Sequence, residues 1–497
     1  MLLWEFHTWA TAFYWKECLK YRLGIQRWNF FNALCVFLSL CLSKISHSML
    51  ALLPILPIAQ IPPPAPQVIV QTQEVRALPG QLDAVPVFNS NSPEWLKTEG
   101  ILLSTFPPTG KKVPAAHLNF PFQGRFDLFA HHFTHTPKDL QTLYLGVILH
   151  NPGTKTVTVE VLQAASYLMT EAPFITLPPY VENPTGDAYA GPGNRAVTDV
   201  LQGKRQADFS AQLTIPPGQS RMLMNAPIPV QNLEKPVNGR STLMRLRSSG
   251  RVYAASLGMF AKKNPDGSDR APTMAQWQDL LQTGGLAGPR DKTPTPPAQT
   301  TGQFIYSRVA GVSRGSQWRS RLVDTPNATG LTIPQPGKAF SYGLSTLTRG
   351  TLGTGQVQTA QMLVRYPDTA YEAHGNYGVE YNLSLPLVNP TNQTQTVALT
   401  VETPLKEDKL SQGGLRFRNP PLNSPFFRGT VRLRYNNEQG QPQTRYVHLW
   451  HRTAQVLEPL LTLKMPPGDR RQVQVDFIYP PDSTPPQVLT VKTLEKS

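Results

Sequence analysis

The sequence predicts a mainly β protein made of two related β-sandwich halves, of the immunoglobulin-like or jelly-roll type, with long loops and one short helix. Two stretches, 145–224 and 383–475, each contain an alternating apolar run, an Asn-Pro break, a second alternating run and a later Pro-Pro-Gly break. Alternation with a period of two is typical of strands with one buried face, and the breaks are typical of turns. Sandwiches carry many unrelated functions, so this architecture does not name one.

The two copies of this internal repeat contain the same motifs in the same order. The first copy consists of Leu145, Val147 and Leu149, the break Asn151-Pro152, then Val157, Val159 and Val161, and finally Leu213, Ile215 and Pro216-Pro217-Gly218. The second copy consists of Leu383, Leu385 and Leu387, the break Asn389-Pro390, then Val397, Leu399 and Val401, and finally Leu463, Met465 and Pro466-Pro467-Gly468. We therefore expect alternate residues of both copies to face a dry interior.

The first 60 residues differ in composition from the rest of the chain. Basic residues precede an apolar run at 28–43, a second run follows at 49–59, and a Pro-rich lead-in occupies 61–75. This order predicts a signal peptide at 1–60 and an exported protein, in the periplasm, the outer envelope or the extracellular space. Neither run reaches 18 uninterrupted apolar residues, so a retained anchor is the alternative, and it would be the only membrane contact.

All three cysteines, Cys18, Cys35 and Cys41, lie within this predicted signal. The exported chain would then be cysteine-free. Without disulfides or thiolate metal sites, its stability must come from buried apolar area, which a chain of this length can supply through two cores.

The charge of the chain favours anionic partners. There are 47 Lys and Arg against 32 Asp and Glu, and arginines concentrate at 308–365 and 416–452. A positive field attracts polyanions such as acidic polysaccharide; the alternative is a cationic surface with no dedicated ligand. Nucleic acid is disfavoured by the signal and by the absence of a recognised binding motif. The glycines at 350–355 are not followed by the Lys-Ser or Lys-Thr of a phosphate loop, and no cofactor is expected.

Composition divides the exported chain into three parts. We expect a first sandwich half at 76–283, a linker at 284–303 rich in Gly, Pro and Thr, and a second half at 304–497. The predicted helix follows Thr273, with apolar residues at helical spacing and Gly284-Gly285 at its end. The long segment at 172–203 within the first half contains Pro-Pro and Gly-Pro-Gly turn signals and is predicted to be an irregular loop.

Three histidines within five residues, His131, His132 and His135, are the candidate metal ligands. Neutral imidazole is the commonest nitrogen ligand of metals in proteins. Successive strand residues point to opposite faces, however, so His131 and His132 diverge unless they lie in a turn. The alternative to metal binding is ordinary packing and hydrogen bonding.

A hairpin at 431–451 supplies the candidate binding residues. Arg432 and Arg434 alternate on one strand, and Tyr446, His448 and Trp450 alternate on the other. If this face is exposed, aromatic rings and guanidinium groups would hold the sugars and acidic groups of a glycan. If it is buried, these aromatic residues belong to the core, which is the usual place of aromatic residues on an alternating strand.

No catalytic residue emerges from the motifs. Ser313 lies in a G-x-S-x-G pattern, but the residues that follow show no helical stripe, which the nucleophile elbow requires. The acids Asp368, Glu372 and Glu380 show no pairing that a sequence can establish, although a polysaccharide hydrolase needs two carboxylates.

Several long motifs resemble an uncharacterised family of exported cyanobacterial proteins, a domain of unknown function. They are EVRALPGQLD at 74–83, IYSRVAGV at 305–312, GTGQVQ at 353–358, RYPDTAY at 365–371, HGNYG at 374–378, FRGTVR at 427–432 and YPPDSTPPQ at 479–487. The resemblance covers nearly all of the chain after the signal. It implies an envelope or extracellular location and no activity.

We therefore expect a non-enzymatic, exported structural or binding protein that holds an acidic glycan. The first alternative is a secreted hydrolase acting on polysaccharide. The second is a periplasmic assembly module that uses an open sheet edge, which any sandwich can offer.

Overall fold

The chain is described from residue 65 to 135 and from 140 to 495 in a computed structural model, and in these ranges it consists mainly of β-strands. The predicted signal and its three cysteines lie outside these residues. In the first part of the chain the strands are β1 (Gln67–Gln71), β2 (Glu74–Arg76), β3 (Pro86–Ser90), β4 (Trp95–Leu96), β5 (Gly100–Ser104), β6 (Phe122–His135), β7 (Leu143–His150), β8 (Val157–Leu168), β9 (Tyr180–Glu182), β10 (Gln212–Ile215), β11 (Ser220–Ile228), β12 (Val237–Phe260), β13 (Lys262–Lys263) and β14 (Asp269–Arg270).

The remaining strands follow the predicted linker. They are β15 (Ala310–Arg314), β16 (Gln317–Arg321), β17 (Leu331–Thr332), β18 (Ala339–Leu344), β19 (Ala360–Arg365), β20 (Glu372–Ala373), β21 (Glu380–Val388), β22 (Gln395–Glu402), β23 (Leu415–Asn419), β24 (Pro425–Asn436), β25 (Pro442–Arg452), β26 (Leu461–Met465), β27 (Arg470–Ile478) and β28 (Gln487–Thr493). The helices of the described chain are α1 (Pro192–Leu201), α2 (Met274–Thr283) and a 3-10 turn at Pro114–Ala116. None of them is long and apolar enough to cross a membrane.

The second half is a β-sandwich. One sheet has the strand order β16-β21-β27-β24-β25-β9, with β17 also paired to β21, and the other has the order β2-β18-β28-β22-β26. Alternate residues of both sheets meet in one core, which includes Leu383, Leu385, Val397, Leu399 and Val475. The predicted alternation is therefore confirmed in this half.

The first half encloses a second core between two sheet regions. The strand order β10-β8-β12-β6-β3 forms one region, and β11-β7-β12-β5 forms the other. The long strand β12 belongs to both, because its pairing shifts between Ser248 and Val252 and its second part continues against β7 and β5. Leu145, Val147 and Val159 lie in the core between them, as the alternation predicts.

Strand order confirms that the two halves are related. In the first half β3 is parallel to β6, and β6, β12, β8 and β10 follow in antiparallel order. In the second half β2 is parallel to β18, and β18, β28, β22 and β26 follow in antiparallel order. The facing sheets also agree, because β7 pairs with β11 as β21 pairs with β27.

Strand pairing joins the halves across the predicted linker at 284–303. Strands β15 and β19 follow the linker in sequence, yet β15 pairs with β3 of the first half. Conversely, β2 and β9 precede the linker and extend the two sheets of the second half. Residues 67–497 accordingly group as one unit. The proposed domain boundaries stay a prediction, but the sheets themselves do not stop at them.

The two helices differ in how well the sequence predicts them. Helix α2 is confirmed, with the Thr273 hydroxyl accepting from the Gln276 backbone N–H and the Gln276 side chain accepting from the Thr273 backbone in return. The segment at 172–203 is predicted to be an irregular loop, but it contains β9 and α1. Nine of the ten residues of α1 are buried, so tertiary packing stabilises a helix whose Gly, Asn, Thr and Asp content gives little local signal.

Candidate functional site

A polar groove lies on the outer face of the seven-stranded sheet in the second half. Its volume is about 350 Å³. Strands β16, β21, β24 and β27 supply the lining, which consists of Gln317, Arg319, Glu380, Asn382, Leu383, Ser384, Arg432, Arg434, Gln474 and Asp476. We call this the sheet groove.

Strand alternation produces this lining. On β21, Leu383 and Leu385 point into the core, so Asn382 and Ser384 point to the opposite face. On β24, Leu433 points into the core, and the arginines on either side of it point outward. The same residues that build the sandwich therefore also line the groove.

An amide connects the two carboxylates of the sheet groove. The Asn382 Nδ2 group donates to Glu380 Oε1 and to Asp476 Oδ1, each at 2.8 Å. The Gln317 side-chain amide donates to the Asn382 carbonyl oxygen. These bonds fix the orientation of Asn382, because its amide donors and its acceptor all have partners.

Three arginines lie around these groups. Two of them pair with a carboxylate, and the third does not. Arg432 Nε lies 3.1 Å and Arg434 Nη2 2.8 Å from the same Asp476 oxygen, and the Asp476 side chain is buried. Arg319 instead is exposed and donates Nε to Gln317 Oε1 at 2.9 Å. Among the described residues no carboxylate lies within ion-pair distance of Arg319, so its guanidinium is the group most open to an anionic ligand.

The floor of the sheet groove continues into the first half as a row of alternating charges. Glu380 forms an ion pair with Arg245 of β12, Arg245 Nε lies 3.9 Å from Asp127 Oδ2, and Asp127 Oδ1 lies 2.6 Å from Arg125 Nη1. Burial disfavours the charged form of Glu380, but Arg245 and the Asn382 bond outweigh it and lower its pKa. Glu380 is thus held as a carboxylate and is not suited to donate a proton.

Asp127 differs from Glu380 because it is fully enclosed. Burial raises its pKa to about 6, although Arg125 and Arg245 both favour the charged form. Both of its guanidinium partners belong to the first half, so within this row the Arg245–Glu380 pair is the contact that joins the halves.

The predicted binding residues separate into two groups. Arg432 and Arg434 line the sheet groove, and Tyr446 lies opposite Arg432 on β25. Tyr446 packs against the apolar cluster that includes Val197 and Val200 of α1. His448 is buried, and that burial lowers its pKa to about 4. Trp450 is half-buried. The five side chains therefore do not form one exposed surface.

Helix α1 and strand β9 cover the aromatic part of this face. The Thr198 hydroxyl of α1 donates to Thr430 Oγ1 at 2.9 Å, and Thr430 lies 3.4 Å from His448 Nδ1. Strand β9 pairs with β25 next to His448. The sequence alone did not show whether the outer face of the hairpin is exposed or buried. Segment 172–203 covers one end of that face and buries it.

The three candidate metal ligands do not converge. His131 Nδ1 lies 2.6 Å from Ser241 Oγ, whereas His132 bonds through Nε2 to Ser90 Oγ and through Nδ1 to the Pro93 carbonyl. His135 is exposed at the end of β6. The reason is that β6 is a regular strand, so neighbouring side chains point to opposite faces.

Within residues 65–135 and 140–495, no group of three or more His, Cys, Asp or Glu side chains is arranged to hold a metal ion. Burial lowers the pKa of His132 to about 4. Its two hydrogen bonds satisfy both ring nitrogens, so His132 takes part in ordinary buried hydrogen bonding.

The other motif residues have structural partners. Ser313 is buried on β15, and a strand, β16, follows it instead of the helix of a nucleophile elbow. Asp368 forms two bonds with the Arg290 guanidinium, at 2.7 and 3.0 Å. Neither residue faces the sheet groove.

The sequence placed Arg319 only within the arginine-rich stretch at 308–365, and Asn382 and Asp476 were missed. Each is a polar residue on the outward side of an alternating strand, which is the ordinary pattern of a solvated face. The available signal was that β16, β21 and β27 all carry polar or charged residues at these outward positions. That signal becomes informative only when the neighbour order of the strands is known, because these strands are up to about 160 residues apart.

The fold and the groove together define a class: a double β-sandwich protein with interlocked halves and an open, polar sheet face. Residues 73–493 match the model of the family described as "Protein of unknown function (DUF3370)". The chain belongs to this family. The match spans both halves, in keeping with their shared sheets.

Other comparisons add little. No curated protein matches the chain. Among solved structures, the crystal structure of Lac15 from a marine microbial metagenome has 9% sequence identity and a TM-score of 0.09, and the alignment covers 72% of this chain and 51% of that one. The chain thus spans about half the length of that protein, and a similarity this low carries no argument about fold or function.

Proposed function

We propose that the protein is an exported, non-enzymatic binding component of the cell envelope or extracellular space, and that the sheet groove holds the acidic groups of a polysaccharide. The observation that carries the proposal is the exposed Arg319 guanidinium, which lacks a carboxylate partner among the described residues, in a groove whose two carboxylates, Glu380 and Asp476, are both already paired with arginines. Guanidinium forks suit carboxylate and sulfate groups, and amides suit sugar hydroxyls.

The location part of the proposal has separate support. The first 60 residues have the composition of a signal, and the motifs resemble those of exported cyanobacterial proteins. Without the predicted signal the chain has 42 Lys and Arg against 30 Asp and Glu, and this positive charge also favours association with anionic polymers. Fractionation of the producing cell tests this part, and recovery of the protein only from the cytoplasm would reject export.

The binding part is tested by titration calorimetry with polygalacturonate, dextran sulfate and neutral dextran. We expect the two anionic polymers to bind, neutral dextran to bind far more weakly, and about 1 M salt to remove most of the affinity because exposed charges are screened. Comparison of polygalacturonate with dextran sulfate shows whether carboxylate or sulfate groups are preferred.

The decisive variant is Arg319→Ala. Because Arg319 makes no ion pair with a described carboxylate, its removal leaves no buried charge unpaired, and we expect about tenfold weaker binding, the typical value of one charge-assisted hydrogen bond. Arg251→Ala is the matched control, because Arg251 is an exposed strand arginine of the first half. Equal affinities of both variants and the unchanged chain would contradict the proposal.

Glu380 bears on the hydrolase alternative. A glycosidase needs one carboxylic acid with a raised pKa, whereas the pKa of Glu380 is lowered through Arg245. We expect no sustained release of reducing ends when the protein is incubated with the same polymers. Turnover that disappears in Glu380→Gln would favour the hydrolase instead.

A further inference from the structure

The first half contains a face equivalent to the sheet groove, and its own chain covers that face. On β7, the side opposite the core carries Tyr144, Gly146 and Ile148. The indole of Trp277 from α2 lies so close to Gly146 that a Cβ atom there would approach the ring within 2.8 Å. Trp277 is completely buried at this position.

The repeat places Ser384 where the first half has Gly146. Gly146 precedes Asn151 by five positions, and Ser384 precedes Asn389 by five. The neighbours agree as well, because Gly146 pairs with Asn225 on β11 and Ser384 pairs with Gln474 on β27. Ser384 lines the sheet groove, so the open groove and the Trp277 position are the same site in the two halves.

The two faces differ in chemistry. Around Gly146 the lining is apolar, with Ile148, Leu257 and Met222 in one cluster with Trp277. On the other side of Ser384 lies Arg321, where the first half has Leu257 opposite Gly146. An apolar side chain such as Trp277 therefore suits the first half, and a polar, anionic occupant suits the second.

We propose that one sugar ring of the bound acidic polysaccharide lies over Ser384, in the place that the Trp277 ring occupies over Gly146. This inference rests on the proposed function and adds to it the place where one sugar ring binds. A sugar ring over Ser384 has Arg319 on one strand and Gln474 on another within the same groove, so its acidic group and its hydroxyls both find donors. A volume of about 350 Å³ is in the usual range for a small-ligand site.

The test is Ser384→Trp, which gives the second half the indole that covers the first. The Ser384 hydroxyl accepts one exposed bond, from Gln472 Nε2 at 2.9 Å, so the change removes little from the fold. We expect binding of polygalacturonate or dextran sulfate, whichever the unchanged chain prefers, to weaken at least tenfold with no change in the melting temperature. Ser411→Trp on an exposed loop is the control and should bind as the unchanged chain does.

The outcomes separate this inference from the proposed function. If Arg319→Ala binds weakly but Ser384→Trp binds normally, the position over Ser384 is rejected and the proposed function stands. If the unchanged chain binds neither anionic polymer, both are rejected. Loss of binding in both variants supports both.

A second measurement covers the case in which Ser384→Trp does not fold. The chain with Ser384→Cys is folded first and then labelled with a bulky maleimide, and the unchanged chain, labelled in the same way, controls for reaction at Cys18, Cys35 and Cys41. We expect labelling to abolish binding only in the Ser384→Cys chain. Full binding after complete labelling at residue 384 would overturn the inference.

Discussion

One buried asparagine stabilises the Asn-Pro turn in each half. Asn389 is completely buried, and its Nδ2 group donates to the carbonyls of Gln393 and Met465 at 2.8 and 2.9 Å. Asn151 donates in the same way to the carbonyls of Lys155 and Ile215, at 2.8 and 2.9 Å. Each side chain ties the Asn-Pro turn to the strand that ends at Pro-Pro-Gly, which gives a physical reason for the recurrence of both motifs.

Replacement of this asparagine is expected to be costly. Asn389→Ala removes the side-chain donor to the carbonyl of the buried Met465 and the acceptor of the Thr391 N–H, so we expect the free energy of unfolding to fall by about 1–3 kcal/mol. Denaturant unfolding followed by circular dichroism measures this difference. Asn327→Ala on an exposed loop is the control, with an expected change within about 0.5 kcal/mol. Similar values for the two variants would show that the bonds of Asn389 contribute little.

At the scale of elements, the helices close surfaces that the sheets leave open. Helix α2 covers the outer face of β7 through Trp277 and Leu281, and α1 fills the space between the halves with Ala196, Val197 and Val200. The apolar faces of the sheets therefore determine where a helix packs. The helices in turn determine which sheet faces stay accessible to solvent. The sheet groove is the part of the outer face of the second half that no described helix covers.

Trp277→Ala tests the covering role of α2. Removal of a fully buried indole from a packed face should lower the free energy of unfolding by about 3–5 kcal/mol. Gln278→Ala, at the next and exposed position of the same helix, should change it by less than about 0.5 kcal/mol. Thermal and denaturant unfolding of the two variants provide the comparison, and a small effect of Trp277→Ala would mean that α2 is not an integral part of the first half.

At the scale of the whole molecule, buried imidazoles link stability to pH. Burial lowers the pKa of His117, His132, His374 and His448 to about 4 and that of His451 to about 3. In the unfolded chain these groups take up protons near their ordinary pKa of about 6.5. The folded state therefore has its full advantage above about pH 6.5 and loses it as the pH falls toward 4.

We expect the free energy of unfolding to be lower at about pH 4.5 than at about pH 7, as measured by denaturant titration. Asp127 and Glu402 act in the opposite direction, because burial raises their pKa to about 6 and about 7, and their contribution is lost as the pH rises. Seven histidines of the described chain have a pKa lowered by burial, against three acids whose pKa is raised by burial, and this balance gives the expected sign. Asp127→Asn should make the loss on acidification larger, and a stability that rises on acidification of the unchanged chain would contradict the assignment.

The sequence by itself determined the elements and their duplication. Alternation in Leu145–Leu149 and Leu383–Leu387 predicted strands with one buried face, and the capping residues around Thr273 predicted α2, because such signals act over a few neighbouring residues. It also singled out Arg432 and Arg434, which do line the groove.

Only the tertiary structure decided how the halves interlock and where the open surface lies. Strand β15 pairs with β3 across more than 200 positions, α1 forms because both halves pack on it, and Arg319, Asn382 and Asp476 meet because β16, β21 and β27 are neighbours. Pairing between distant strands depends on the summed burial of both partners, and no local pattern along one strand records which partner that will be.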